Sequence, residues 1–204
     1  MRILLAPNSF KNCATSIEVS DILKSEINST NIQLAPVSDG GDGFLNSIIF
    51  KLNQMALIDY EIINYKFELN SFPILIEKNH DFLFIESAKI IGFSNSELMR
   101  LPITERSTNS IGDVLKNSEL MRSYNVKKVV IGIGGTITND FGFGMCSQFG
   151  LKLFDKENRE LAPIPLNFHK IRKITLPQKE FELNLQIVLD VQIPLFGGDG
   201  TTQK

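Results

Sequence analysis

Six consecutive residues, Ser38-Asp39-Gly40-Gly41-Asp42-Gly43, set two carboxylates among three glycines. Glycine lets backbone amides approach a phosphate closely, and a following helix N-terminus adds positive potential. Two carboxylates repel a phosphate unless a divalent cation lies between them, so the pattern suggests Mg2+ together with phosphate. A plain glycine turn with Asp as a helix cap is the competing reading. An EF-hand is excluded, because a loop begun at Asp39 has no Glu at its twelfth position.

A second segment, Gly134-Gly135-Thr136-Ile137-Thr138-Asn139-Asp140, follows the same logic. Its glycines follow an apolar run, and Asn139 and Asp140 stand at an expected helix start. The alternative is a cap with tight packing. The dinucleotide pattern GxGxxG is met only in part: Gly132 and Gly134 fit, but Ile137 stands where the third glycine belongs, which disfavours a nucleotide-binding oxidoreductase. No GxxxxGK[ST] occurs, so a P-loop NTPase is excluded. A third polar loop is Asn8-Ser9-Phe10-Lys11. Its lysine could hold a phosphate as a compact point charge, or could be a solvated surface lysine. Asp190 ends an apolar run. A carboxylate there needs a partner, a metal or a proton, unless it is a strand-end cap. Glu86 is a further candidate. Cys13 and Cys146, with no histidine nearby in sequence, read as packing residues. The phenylalanines 141, 143 and 149 read as core.

Strands and helices must position these groups. Ile3-Leu4-Leu5-Ala6 reads as a buried strand. Thr15 stands three residues before Glu18, a capping-box spacing, and Val19, Ile22, Leu23 and Ile27 recur at helical intervals. A strand at 32–37 leads into the first glycine loop, and Phe44, Leu45, Ile48, Ile49 and Leu52 mark a second amphipathic helix. Two strand–loop–helix units in a row suggest a parallel α/β lobe. Segments 56–63, 72–77 and 82–86 are strand-like with short connections, which favours antiparallel or mixed pairing and places a boundary at 54/55. Ser110 and Asp113 form another capping-box spacing. A strand over 126–133, a helix over 141–149, a strand at 151–154 entering a turn, and a strand at 185–189 complete the series. The polar loops thus sit at carboxyl ends of strands, where open α/β sheets bind ligands.

Composition excludes several classes. The 204 residues are 43% hydrophobic and 22% charged, enough apolar material for a folded core. Lys+Arg is 21 and Asp+Glu is 23, for a net charge of -2, so the basic excess of a nucleic-acid binder is missing. Two cysteines make no disulfide framework, and the isolated His80 and His169 offer no zinc spacing. No apolar run reaches the ~18–20 residues of a membrane span. The short run before Pro7 does not resemble a signal peptide, so the expected compartment is the reducing cytoplasm. No repeat of about 20–50 residues is found.

Taken together, the motifs resemble the type-1 glycerate kinase family. The resemblance rests on residues 3–11, on 36–43, on Glu86-Ser87-Ala88 with Gly92, on 132–140 with Gly142, Gly144 and Met145, and on Asp190-Val191 with Pro194, Leu195 and Gly197. It departs at Asn8, Asn12, Ser110 and Ile193, where the family carries Asp, Gly, Gly and Asn. It extends over the N-terminal portion of a longer family pattern, a little over half.

The resemblance implies an α/β, two-lobed fold: an incomplete Rossmann-like parallel-sheet lobe begun by 1–54, and a second mixed-sheet lobe over 55–204. It implies ATP-dependent phosphorylation of D-glycerate with Mg2+. Lys11, Asp140 and Asp190 would be catalytic, Asp190 as base or hydroxyl-orienting group. Ser9, Asp39, Gly40, Gly41, Gly43, Gly134, Gly135, Thr136 and Asn139 would bind substrate or nucleotide, and Asp39 and Asp42 the metal. A separately made C-terminal half is one expected partner; an inactive, ligand-binding remnant is the alternative.

Overall fold

A computed structural model describes residues 2–11, 13–55, 59–68, 70–79, 81–177, 184–189 and 197–198. The chain opens with β1 (Ile3–Leu5), α1 (Ser16–Glu26) and β2 (Ile32–Leu34). The two strands pair in parallel, Ile3 opposite Ile32 and Leu5 opposite Leu34. Helix α1 starts where the spacing predicts. The Glu18 amide donates to Thr15 Oγ1 at 3.2 Å, and the Thr15 amide donates to Glu18 Oε2 at 2.7 Å. The expected burial of the first strand does not hold: Leu4 is 62% exposed. Among the described residues strand β1 has one neighbouring strand, β2.

Helix α2 (Phe44–Gln54) is followed by β3 (Tyr60–Phe67), β4 (Asn70–Glu77) and β5 (Phe82–Glu86). Strand β3 takes up the later part of the run expected at 56–63, whose residues 56–58 lie outside the described residues. Its hairpin sets the register, with Phe67 opposite Asn70 and Glu68 turning at a φ of 53°. Four short helices come next: α3 (Ser87–Ile91), α4 (Ser96–Arg100), α5 (Asn109–Lys116) and α6 (Ser118–Ser123). Strand β6 (Lys128–Gly132) and helix α7 (Phe143–Ser147) precede β7 (Lys152–Phe154), β8 (Glu160–Leu161), β9 (Lys173–Thr175) and β10 (Asn184–Val188).

The principal sheet has the order β10-β6-β5-β4-β3, with β10, β6 and β5 parallel and β4 and β3 antiparallel. Side chains alternate between its faces. Ile74, Ile76, Leu83, Ile85, Val129 and Ile131 pack against α3, α5 and α6 on one face. Leu75 and Val130, with Phe82, Phe84 and Val188, meet Phe44, Leu45 and Leu52 of α2 on the other. Each fully buried aliphatic side chain contributes about 1.5–3 kcal/mol. Helix α2 lies on the N-terminal side of the expected 54/55 boundary, yet its apolar face is buried against this sheet. Strands β8, β7 and β9 form a small antiparallel sheet of their own. The fold is therefore α/β, with parallel and mixed sheets.

Two local expectations change. Ser110 does not cap a helix: α5 begins one residue before it, after Thr108, and Ser110 is buried inside the helix. Asp113 instead accepts from the Tyr65 hydroxyl at 2.9 Å. The helix expected over 141–149 shrinks to Phe143–Ser147, because Phe141 and Gly142 have φ of 56° and 71°. Phe141 is not core. It is 53% exposed and lies against Phe143 and Phe168, at 6.0 and 5.6 Å between ring centroids.

Candidate functional site

The loop at 38–43 lies on the backbone of the principal sheet's carboxyl edge. A Cβ on Gly40 would collide with the Val188 carbonyl oxygen, and one on Gly134 would lie 2.7 Å from Gly41 Cα. Only hydrogen at those positions permits this approach. Gly43 caps α2 with a φ of 88° and has no side chain to receive the helix's first amides. Glu86, from the end of β5, takes that role. Its carboxylate accepts from the Gly43 amide at 3.1 Å and the Leu45 amide at 2.9 Å, and its side chain is 1% exposed.

Burial pushes the Glu86 carboxyl above its ordinary value, against the two amide bonds and the charge of Lys89. Lys89 Nζ lies 3.7 Å from Glu86 and 2.6 Å from Asp42. Burial alone would lower the Lys89 ammonium, but the bond to Asp42 and the charges of Glu86 and Asp42 carry it upward. Next to Glu86, the Ser87 hydroxyl donates to the Gly132 carbonyl at 2.7 Å, which ties β5 to β6.

Other amides in this loop also have internal acceptors. Gly40 donates to Ser38 Oγ at 3.2 Å and Gly41 to Asp39 Oδ1 at 2.9 Å. The glycine amides at 40, 41 and 43, expected to hold phosphate, are thus donating within the chain. Asp42 is the exposed carboxylate, at 80%. Among the described residues no three His, Cys, Asp or Glu side chains gather to hold a metal. Mg2+ needs only one or two carboxylates beside phosphate oxygens, so Asp42 and Asp39 still offer a fitting donor type.

The second loop has its own buried carboxylate. Asp140, 1% exposed, accepts from Ser107 Oγ at 3.1 Å, Thr108 N at 2.8 Å and Thr108 Oγ1 at 2.9 Å. It also accepts from Gly142 N at 3.0 Å and Gly144 N at 3.1 Å, the first amides of α7. Asp140 is therefore fully engaged in holding the starts of α5 and α7. Its charge, after burial, also raises the Cys146 thiol. The amides of Gly134 and Gly135 donate to no described residue.

Beneath this loop lies a cavity of about 280 Å³. Ile131, Ile133 and Ile187 form its apolar wall, while Thr136, Asn139 and Asp140 lie on the loop side. Its lining includes no lysine or arginine among the described residues. Gly134, Gly135, Thr136 and Asn139 thus join Gly40, Gly41 and Asp42 along one edge of the sheet. Ser9 and exposed Lys11 follow β1, beside the strand leading to 38–43, where Val37 N donates to Pro7 O at 3.0 Å. Among the described residues no hydrogen bond or ion pair joins Ser9 or Lys11 to the other candidates. The Asn8 side chain accepts from the Ser9 amide at 2.7 Å. Asp190 lies outside the described residues.

Sequence reasoning missed Lys89, Ser107 and Thr108. The three-residue step from Glu86 to Lys89 on one helix face was the available signal for Lys89. No local pattern marks Ser107 or Thr108, which reach Asp140 from 32–33 residues away.

Helices on both faces of a mixed sheet, with glycine-bearing loops over the carboxyl ends of its strands, define an open-sheet α/β protein. More narrowly, the chain belongs to the glycerate kinase family, whose model matches residues 3–204. The glycerate kinase of Neisseria meningitidis serogroup B is 25% identical over 211 residues, covering 99% of this chain and 55% of the relative. That of Bacillus subtilis is 25% identical over 214 residues, covering 99% and 54%. A solved Salmonella typhimurium structure, described as a candidate glycerate kinase 2, shares the fold at TM-score 0.69 and 20% identity, covering 99% of this chain and 55% of its own. The chain spans about half the length of the curated relatives it matches.

Proposed function

We propose that this chain carries part of the active site of an ATP-dependent glycerate kinase acting in the cytoplasm. The observation that carries this reading is the meeting of the family's two glycine loops, 38–43 and 134–140, on one carboxyl edge of the sheet. Phosphoryl transfer needs positioning and charge neutralisation more than covalent chemistry, and the two loops divide those tasks. The amides of Gly134 and Gly135, which donate to no described residue, would with Thr136 hold phosphate oxygens. Asp39 and Asp42 would hold Mg2+, which when bound neutralises phosphate charge. Asn139 and Ser9 would hydrogen-bond glycerate, Lys11 would face a phosphate, and Asp190 would take the hydroxyl proton. Asp140 would act by shaping the loop that carries Asn139. The apolar wall of Ile131, Ile133 and Ile187 suits an uncharged part of a ligand.

The site would be completed by the portion that the longer relatives possess, on the same polypeptide or as a separate half. A second reading is a ligand-binding chain without turnover, favoured by the exposure of Leu4 on β1. ADP release is the test, measured with ATP, Mg2+ and D-glycerate on the folded 204-residue protein, alone and mixed with the C-terminal half of the Neisseria relative. Glycerate-dependent ADP release in either case supports the kinase reading. None in both, with nucleotide binding retained, supports the second.

A further inference from the structure

We infer that Glu86 is a positioning residue for the loop at 38–43, an internal acceptor that fixes the start of α2 and with it the placement of Asp42. The carboxylate is 43 residues from Gly43 in sequence and sits on a different element, at the end of β5. A helix start is usually held by a local Ser, Thr, Asp or Asn. Here the cap position is Gly43, which has no side chain to offer, and the first turn of α2 is acid-free. The amides of Gly43 and Leu45 therefore take their register from the sheet edge rather than from their own loop.

The same corner controls the neighbouring carboxylate. Lys89 lies one helical turn after Glu86 and reaches Asp42 at 2.6 Å. Asp42 is thus placed from both sides, by Gly43 bonded to Glu86 and by its own bond to Lys89. Gly40 and Gly41 are meanwhile held against the backbone of 132–134 and Val188. The loop has little freedom except at the α2 end, and Glu86 removes it there. Because the Glu86 side chain already occupies the Gly43 and Leu45 amides, that end of α2 is closed to a phosphate. This division of labour rests on the reading of 38–43 as a ligand loop, but the test of Glu86 does not.

Amide hydrogen exchange by NMR on the 204-residue chain is the test. It compares the wild type, Glu86→Gln, and Val114→Ala as a control that weakens the buried core on the opposite sheet face. Glutamine keeps the shape but can accept only one of the two bonds. Glu86→Gln is expected to raise exchange at Gly43 and Leu45 by about tenfold or more relative to Leu75, Leu83 and Val129. The amide proton shifts of Gly43 and Leu45 should also move upfield, a local signature that Val114→Ala lacks. Glu86→Asp keeps the charge but shortens the reach, and it should open the same two amides. Unchanged exchange at Gly43 and Leu45, or a rise equal to that of the strand amides, would overturn the inference. Titrating the wild type with MgATP reports on the ligand reading separately. No shift at Gly134 or Asp42 would count against the kinase reading and leave the exchange result standing.

Discussion

Helices α2 and α7 begin in the same way and are anchored in different ways. Each starts at a glycine with positive φ, Gly43 at 88° and Gly142 at 71°, and neither cap has a side chain for the first amides. Each is served by a carboxylate 1% exposed. For α7 that group is Asp140, two residues before the cap and within the same loop. For α2 it is Glu86, on a strand 43 residues away. Asp140 is surrounded by neutral donors, whereas Glu86 has an ammonium at 3.7 Å and a second carboxylate behind it. The Asp140 anchor is local to α7 and also reaches the start of α5 through Ser107 and Thr108. The Glu86 anchor couples loop 38–43 to the end of a strand in the principal sheet.

The sharpest way to break this contrast is to remove the local anchor. Asp140→Ala leaves Ser107, Thr108, Gly142 and Gly144 without their shared acceptor in a buried place. The expected loss is about 3–5 kcal/mol in urea unfolding, with helices α5 and α7 both losing their starts. A loss below about 1 kcal/mol would show that Asp140 does not organise the two helices.

The glycines separate backbone approach from backbone conformation. Gly40 has a φ of 90° and abuts the Val188 carbonyl, while Gly43 has a φ of 88° and open space where a Cβ would go. Gly40→Ala is expected to cost about 2–4 kcal/mol, from strain and collision together. Gly43→Ala should cost about 1–2 kcal/mol, from strain alone. Equal costs, measured by thermal or urea unfolding, would mean that loop 38–43 is not pressed against the sheet.

The local anchor could be read in sequence and the remote one only in part. Asn139 and Asp140 mark a helix start, and the spacing of Thr15 and Glu18 marks where α1 begins. Glu86 was recognised as a candidate at a strand end, but its partners at 43 and 45 come from topology, which no spacing encodes. The alternation of Leu83 and Ile85 with Phe82 and Phe84 marks a strand buried on both faces. It does not say that α2 supplies one of the covers. Ser110 misled because its three-residue step to Asp113 imitates a cap, while Thr108, two residues earlier, is held by Asp140 and sets the real start. The site followed the same rule: the glycine loops were legible, and the cation beside them, Lys89, was not.

The charge on the remote anchor predicts a pH effect. The Glu86 carboxyl is raised above its unfolded value by burial. Its contribution is therefore fullest below the unfolded value near 4.5 and is lost as pH rises through the raised folded value. Glu86→Gln cannot ionise, so it lacks this loss. Any deficit of the variant against wild type at pH 4 is expected to narrow toward pH 7. A gap that widens over that range would reverse the assigned direction and point to a carboxylate better stabilised in the fold than in water.

The smallest effect is the most diagnostic of how the remote anchor is built. The Lys89 and Asp42 side chains are 36% and 80% exposed, so their pair is screened and worth about 0–1 kcal/mol. Lys89→Met should change stability at neutral pH by no more than that, and added salt should shrink the difference. The lysine's charge also draws the Glu86 carboxyl downward, against burial. Without it, the folded value of Glu86 rises further, and stability should fall more steeply above pH 4.5 than in the wild type. In the Glu86→Gln background, Lys89→Met should leave that slope unaltered, since no carboxyl remains for the lysine to act on. An equal change of slope in both backgrounds would show that Lys89 acts on some other group, and that the anchor is Glu86 alone.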